Sequence, residues 1–214
     1  MQGDMDIVDP LIDEYLTRLT GSPDPVEAEM RHYAAERDGF PIVGPSLGAL
    51  LSQLTLLAGA RRIFEIGSGF GYSAFWFARV LEQGGTVTLT DFDRENLGRA
   101  RSWLAQAGLQ QRCRFEPAGD GLEALSRCES GLDVVFLDGE KADYPRALAI
   151  ALPKLRRGGL LLAADVLSGG AVARGESDAA TVGLREYTRQ IFGSTDLVSS
   201  IVPLRDGLAI TVKR

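Results

Sequence analysis

Histidine is almost absent from the chain. His32 stands alone with no serine or cysteine motif around it, so a hydrolase triad finds no support. Cysteine is nearly as scarce. Cys113 and Cys128 lack Cys-x-x-Cys spacing, which argues against a disulfide framework or a zinc site and makes a reducing cytoplasm the expected compartment. No stretch approaches the roughly 18 unbroken apolar residues of a membrane span. The acidic opening MQGDMDIVDP lacks the basic-then-apolar order of a secretion signal. Positive charge is short as well: 23 Lys and Arg against 29 Asp and Glu leave a net charge of −6, which disfavours a nucleic-acid partner. Repeats, charge blocks and Ser/Pro-rich linkers are missing too. One domain over residues 1–214 is therefore expected.

What is present is a change of period. Before residue 60 the runs IVDPLIDEYLTRL, PVEAEMRHYAAERDG and PSLGALLSQLTLLAG space their apolar residues by three and four, as helices do. They predict a helical cap over 1–60. From residue 61 onward strand-like runs RIFEI, TVTLTD, CRFEPA, DVVFLD and LLLAAD alternate with helix-like runs YSAFWFARVLEQ, DRENLGRARSWLAQAG, GLEALSRC and YPRALAIALPKL. Such alternation implies βαβ units and a parallel sheet with helices on both faces. After a helix near 178–192, DLVSSIVPL and LAITVK flank Arg205-Asp206-Gly207, a hairpin signal that makes the last strand antiparallel. The fold expected is α/β and Rossmann-like: doubly wound, seven-stranded, mostly parallel, with an antiparallel C-terminal hairpin. Arg61–Arg62 and Arg156–Arg157 precede predicted strands at the sheet edge opposite to the ligand edge, and read as solvated loop charges.

Residues 64–73, FEIGSGFGYS, follow the first strand. Gly67, Gly69 and Gly71, with Ser68 between them, allow a sharp turn and bring backbone N–H groups close to a ligand. A tight strand-to-helix turn is the plain alternative. Two details favour a nucleoside. The spacing is E-x-G-x-G-x-G, not the dinucleotide G-x-G-x-x-G, and Asp91 ends the next strand, where it can accept from both ribose hydroxyls. Spacing and hairpin together favour S-adenosylmethionine over NAD.

From about residue 24 onward the chain resembles the cation-dependent O-methyltransferases of the catechol and caffeoyl-CoA type, particularly their small bacterial members. FEIGSGFGYSAFWFA resembles the family's glycine loop, and IVGPSLGALL the segment along the methionine part of the cofactor. GLDVVFLDGEKADY, GGLLLAADVLSGGAV and IVPLRDGLAITVK resemble three further family motifs in the right order. The resemblance implies that Val43 and Ser73 lie against the methionine end of the cofactor. It places Asp91 on the ribose and Asp120 beside the adenine, though Asp120 also reads as an N-cap of GLEALSRC. Glu65 is expected to support the loop from beneath. A small hydroxylated aromatic acceptor and a homodimer are implied by the same resemblance.

Asp138 ends DVVFLD and Asp165 ends LLLAAD. If the strands are neighbours their tips lie about 5 Å apart, close enough to share Mg²⁺ or another divalent cation; helix caps or loop acceptors are the alternative. Asp138 is thus a candidate cofactor neighbour, metal ligand and catalytic group. Lys141 matches the family's lysine beside the reacting hydroxyl, as base or as cation. One position departs from the pattern: Val166 stands where the family has an asparagine ligand, and valine donates no oxygen. Glu140 replaces another family residue and is either a substitute ligand or an exposed loop acid. Two other readings stay open, a tRNA nucleoside hydroxyl as acceptor, and a degenerate cofactor-binding protein without turnover. Specificity is expected to lie in 20–45 and 166–178.

Overall fold

The computed structural model describes residues 6–21, 24–37, 40–117 and 119–214. The first residues of the acidic opening, the Asp38-Gly39 end of the second helical run and Ala118 lie outside the described residues. Helices α1 (Pro10–Thr20), α2 (Pro25–Glu36) and α3 (Gly44–Leu57) come first. Asp9 and Asp24 open the first two by accepting from the N–H groups of Leu11 and Val26. Proline follows each aspartate, at the one helical position where its missing N–H costs nothing.

Strands and helices then alternate: β1 (Arg62–Ile66), α4 (Tyr72–Ala78), β2 (Thr86–Thr90), α5 (Arg94–Gln106), β3 (Cys113–Phe115) and α6 (Gly121–Arg127). β4 (Leu132–Leu137), α7 (Tyr144–Lys154) and β5 (Leu155–Ala164) continue the series. A short α8 (Ala171–Arg174), α9 (Ala179–Gly193), β6 (Leu197–Val202) and β7 (Leu208–Lys213) complete it. The sheet order is β3-β2-β1-β4-β5-β7-β6, with β7 antiparallel to both neighbours and the pairs from β3 through β5 parallel. The expected sheet is therefore observed, antiparallel hairpin included. No helix among the described residues is long and apolar enough to cross a membrane.

Two apolar layers sandwich the sheet, which explains strands that are apolar at consecutive positions. On β4, Val134 and Phe136 join the layer made with α2, α3, α4 and α5. Val135 and Leu137 face the other side, toward α6, α7 and α9. All four are fully buried or nearly so. Each such side chain contributes roughly 1.5–3 kcal/mol relative to exposure, so β4 holds the site's floor firmly.

Some boundaries differ from the sequence reading, each for a visible reason. α4 ends at Ala78 instead of running to Gln83, because Arg112 Nη1 takes the Ala78 carbonyl at 2.8 Å and the Arg79 carbonyl at 3.3 Å. β3 stops at Phe115, with Glu116 and Pro117 beyond it. β5 starts at Leu155, so Arg156 and Arg157 lie inside the strand and not before it. Asp133 causes this: it accepts from the Arg61 and Arg62 N–H groups at 2.8 Å each and from Arg156 Nε at 2.5 Å. The Arg156 charge is thus tied to Asp133 at the sheet edge remote from the ligand, while Arg157 is exposed.

Candidate active site

Strand order reverses between β1 and β4, and the crevice beyond their C-terminal ends is the ligand position of such sheets. A cavity of about 180 Å³ opens there, walled by Gly67, Asp91, Phe92, Asp120, Glu140 and Tyr144 among others. Of the residues singled out in the sequence, Gly67, Asp91, Asp120 and Glu140 line it. Val43, buried at the start of α3, does not.

The glycines do three different jobs. Gly67 has φ +79°, and a Cβ on it would stand 2.4 Å from the Asp138 carbonyl oxygen. Gly69 lies under the Phe40 ring, and Gly71 packs against Ala100 of α5. Four of the loop's N–H groups are engaged within the protein. Those of Gly67 and Ser68 go to the Thr90 carbonyl, that of Gly71 to the Ser68 carbonyl and that of Gly69 to Asp91 Oδ2. The loop therefore provides close approach more than donors. Its hold on Asp91 is mutual: Oδ1 also accepts from the Asp93 N–H at 2.8 Å, so the carboxylate is fixed with lone pairs to spare.

Asp120 is the N-cap of α6, accepting from Leu122 N at 2.8 Å, and it faces the cavity as well. Phe92 was missed in the sequence. It is 84% exposed beside Asp91, an aromatic ring left uncovered on the cavity wall. Its signal was available, since it directly follows the strand-end acid in TDFD. Trp76 is buried and Trp103 packs on the core. His32 lies on the α2 surface, paired with Glu36 at 3.2 Å.

Glu65 lies beneath the loop, with the Ser68 and Ser73 side chains beside it. It is fully buried, and neither carboxylate oxygen has a hydrogen-bond partner. Burial pushes its pKa up from 4.5 to about 7; Ser68 and Ser73 nearby oppose the rise, and Asp91 adds to it. A carboxyl that binds its proton more tightly folded than unfolded stabilises fully below about pH 4.5, and that contribution is lost as pH rises to about 7. The loss is on the order of 3 kcal/mol. Urea titrations across this window should show stability falling in the wild type and a flatter profile in Glu65→Gln. Parallel profiles would remove Glu65 as the source.

Beyond the cavity Asp138 and Asp165 come together as their strand ends implied. Between them lies Lys141, in the turn that precedes α7: its Nζ is 3.2 Å from Asp138 Oδ1 and 3.0 Å from Asp165 Oδ2. Burial disfavours the ammonium, but the Tyr144 hydroxyl, Asp138 and Asp165 outweigh it and hold the Lys141 pKa above the ordinary lysine value. Burial raises the Asp138 pKa to about 7, with Lys141 lowering it and Asp165 raising it further. Asp165 has φ +54°, a left-handed backbone that aspartate tolerates better than most residues. Val166 is fully buried in the core, and Glu140 caps its own turn through Ala142 N. Among the described residues, no cluster of three or more His, Cys, Asp or Glu is placed to hold a metal ion. This donor set does not fit a divalent cation.

Residues 24–214 match the family model described as O-methyltransferase. The chain belongs to the O-methyltransferase family. A probable O-methyltransferase of Mycobacterium tuberculosis is 32% identical over 177 residues, which cover 82% of this O-methyltransferase and 79% of the relative. Among solved structures, the Bacillus cereus O-methyltransferase in complex with SAH superposes with a TM-score of 0.86 at 26% identity, over 95% of this chain and 97% of that one. A Streptomyces achromogenes O-methyltransferase involved in tomaymycin synthesis, solved with SAM, gives 0.86 at 29% identity over 95% and 96%.

Proposed function

We propose that this O-methyltransferase binds S-adenosylmethionine in the crevice between β1 and β4 and transfers its methyl group to a hydroxyl of a small aromatic acceptor. The observation that carries this reading is Asp91, fixed on the cavity wall by the Gly69 and Asp93 N–H groups with lone pairs to spare. A nucleoside suits it, with ribose hydroxyls that donate to Asp91. Phe92 offers a face for the base, and Asp120 an acceptor beside it. When bound, the cofactor supplies an electrophilic sulfonium methyl.

The rest falls to the chain. A neutral phenol is a weak nucleophile, so its proton must leave as its oxygen attacks. Asp138, with its pKa pushed to about 7, is matched to take that proton. Lys141, held protonated, stabilises the charge that develops on the acceptor oxygen.

S-Adenosylhomocysteine is expected to bind and, at about a hundredfold excess over Kd, to stabilise the protein by about 2.7 kcal/mol. Asp91→Ala should weaken that binding by roughly 1.5–3 kcal/mol, the range for hydrogen bonds to a charged group. Calorimetric titration checks both, and equal affinity in mutant and wild type would remove Asp91 from the site.

A further inference from the structure

Three oxygens surround the Lys141 ammonium: Asp138 Oδ1 at 3.2 Å, Tyr144 Oη at 3.1 Å and Asp165 Oδ2 at 3.0 Å. An ammonium carries three N–H donors, and this cage can accept all of them. Tyr144 is itself fastened, with Oη 3.0 Å from both the Leu137 and Ala164 carbonyls at the ends of β4 and β5. The ammonium thus stands where two strand-end carboxylates converge. Among the described residues, no third His, Cys, Asp or Glu joins them. The Val166 side chain offers no oxygen, and its N–H is tied to the Gly207 carbonyl at 3.2 Å. Mg²⁺ demands near-octahedral oxygen coordination, and here it would also meet a positive charge at contact distance.

We propose that the Lys141 ammonium is the resident cation of this site, and that the protein transfers methyl groups without a divalent metal. The proposal rests on the O-methyltransferase reading above. Asp165 is the more exposed of the two carboxylates, 38% against 21% for Asp138. It is the cage member that an incoming acceptor oxygen displaces, so the ammonium exchanges one anionic partner for another. Tyr144 acts as a positioning residue, keeping the nitrogen at the strand ends while that exchange occurs.

The test is Mn²⁺ titration, read by calorimetry and electron paramagnetic resonance, of EDTA-treated full-length protein, with methyl transfer to catechol assayed in parallel. The wild type is expected to show no saturable Mn²⁺ binding at millimolar concentration and no loss of turnover in EDTA. Lys141→Met bares two carboxylates and is expected to gain Mn²⁺ binding, which Asp165→Asn in the same background should abolish. Saturable Mn²⁺ binding to the wild type that Asp165→Asn removes would overturn the proposal. So would turnover lost in EDTA and restored by Mg²⁺, or a folded Lys141→Met that binds no Mn²⁺. If Lys141→Met does not fold, the wild-type titration decides alone. S-Adenosylhomocysteine binding in the same samples tests the parent reading: its absence would sink that reading, while the Mn²⁺ titration still reports on Lys141.

Discussion

Lys141→Met is expected to lower turnover by about 10²–10³-fold, or about 2.7–4 kcal/mol of transition-state stabilisation, with S-adenosylhomocysteine affinity unchanged. Methionine keeps most of the side chain's length and apolar stem while deleting the charge. The ammonium stands at the ends of β4 and β5, 3.0–3.2 Å from its three partners. Removing it takes a preorganised positive charge from the acceptor oxygen at the moment that oxygen becomes anionic. It also leaves Asp138 and Asp165 without a cation between them, so that one of them holds a proton more readily and less ionised Asp138 is available to accept one. Single-turnover measurements with bound cofactor separate this effect from cofactor binding. Wild-type turnover in the mutant would return Lys141 to a purely structural role.

Gly67→Ala is expected to be the most damaging single-methyl change in the loop. Two costs combine. The left-handed backbone at φ +79° costs a non-glycine residue roughly 1–2 kcal/mol. The new Cβ would stand 2.4 Å from the Asp138 carbonyl oxygen and 2.9 Å from the Gly139 nitrogen, both backbone atoms. Relieving such overlap adds about 1–3 kcal/mol. The sum, roughly 2–5 kcal/mol, is a large share of the 5–15 kcal/mol typical of a domain and should lower Tm by on the order of 10 °C. The strand end that would have to move carries Asp138, so activity should fall as well. Gly98→Ala is the control: it lies inside α5 with open space around it, and should stabilise by about 0.5–1 kcal/mol. Thermal melts of both variants check this, and an unchanged Tm for Gly67→Ala would refute the packing argument.

The sheet was legible in the sequence because its central parallel strands β4 and β5 had to be apolar on both faces. VVFL in β4 carries that signature with no polar interruption, and Asp206-Gly207 marked the hairpin between β6 and β7. The ends of strands were legible for the same reason: an acid that closes an apolar run, as Asp91, Asp138 and Asp165 do, must sit at the sheet edge. Element ends were less so, since distant side chains set them. Arg112 stops α4 across 34 residues, and Asp133 draws the start of β5 inward across 23. The cage around Lys141 was hidden more deeply. Its oxygens come from the residue after β4, from α7 and from the residue after β5, and only the folded register decides whether an ion or an ammonium fills the space. Glu65 was visible as an acid, but its lack of any partner is a property of three dimensions.

The position of β7 has a consequence for synthesis. Residues 208–213 form the last strand in chain order, yet it lies inside the sheet between β5 and β6. While the ribosome is still making this stretch, β5 carries an open edge along Leu160–Ala164, among the most apolar backbone in the protein. Such an edge is a template for pairing with another chain. The nascent protein therefore keeps this association-prone edge open until residues 208–213 are available, and sheet closure waits on that strand.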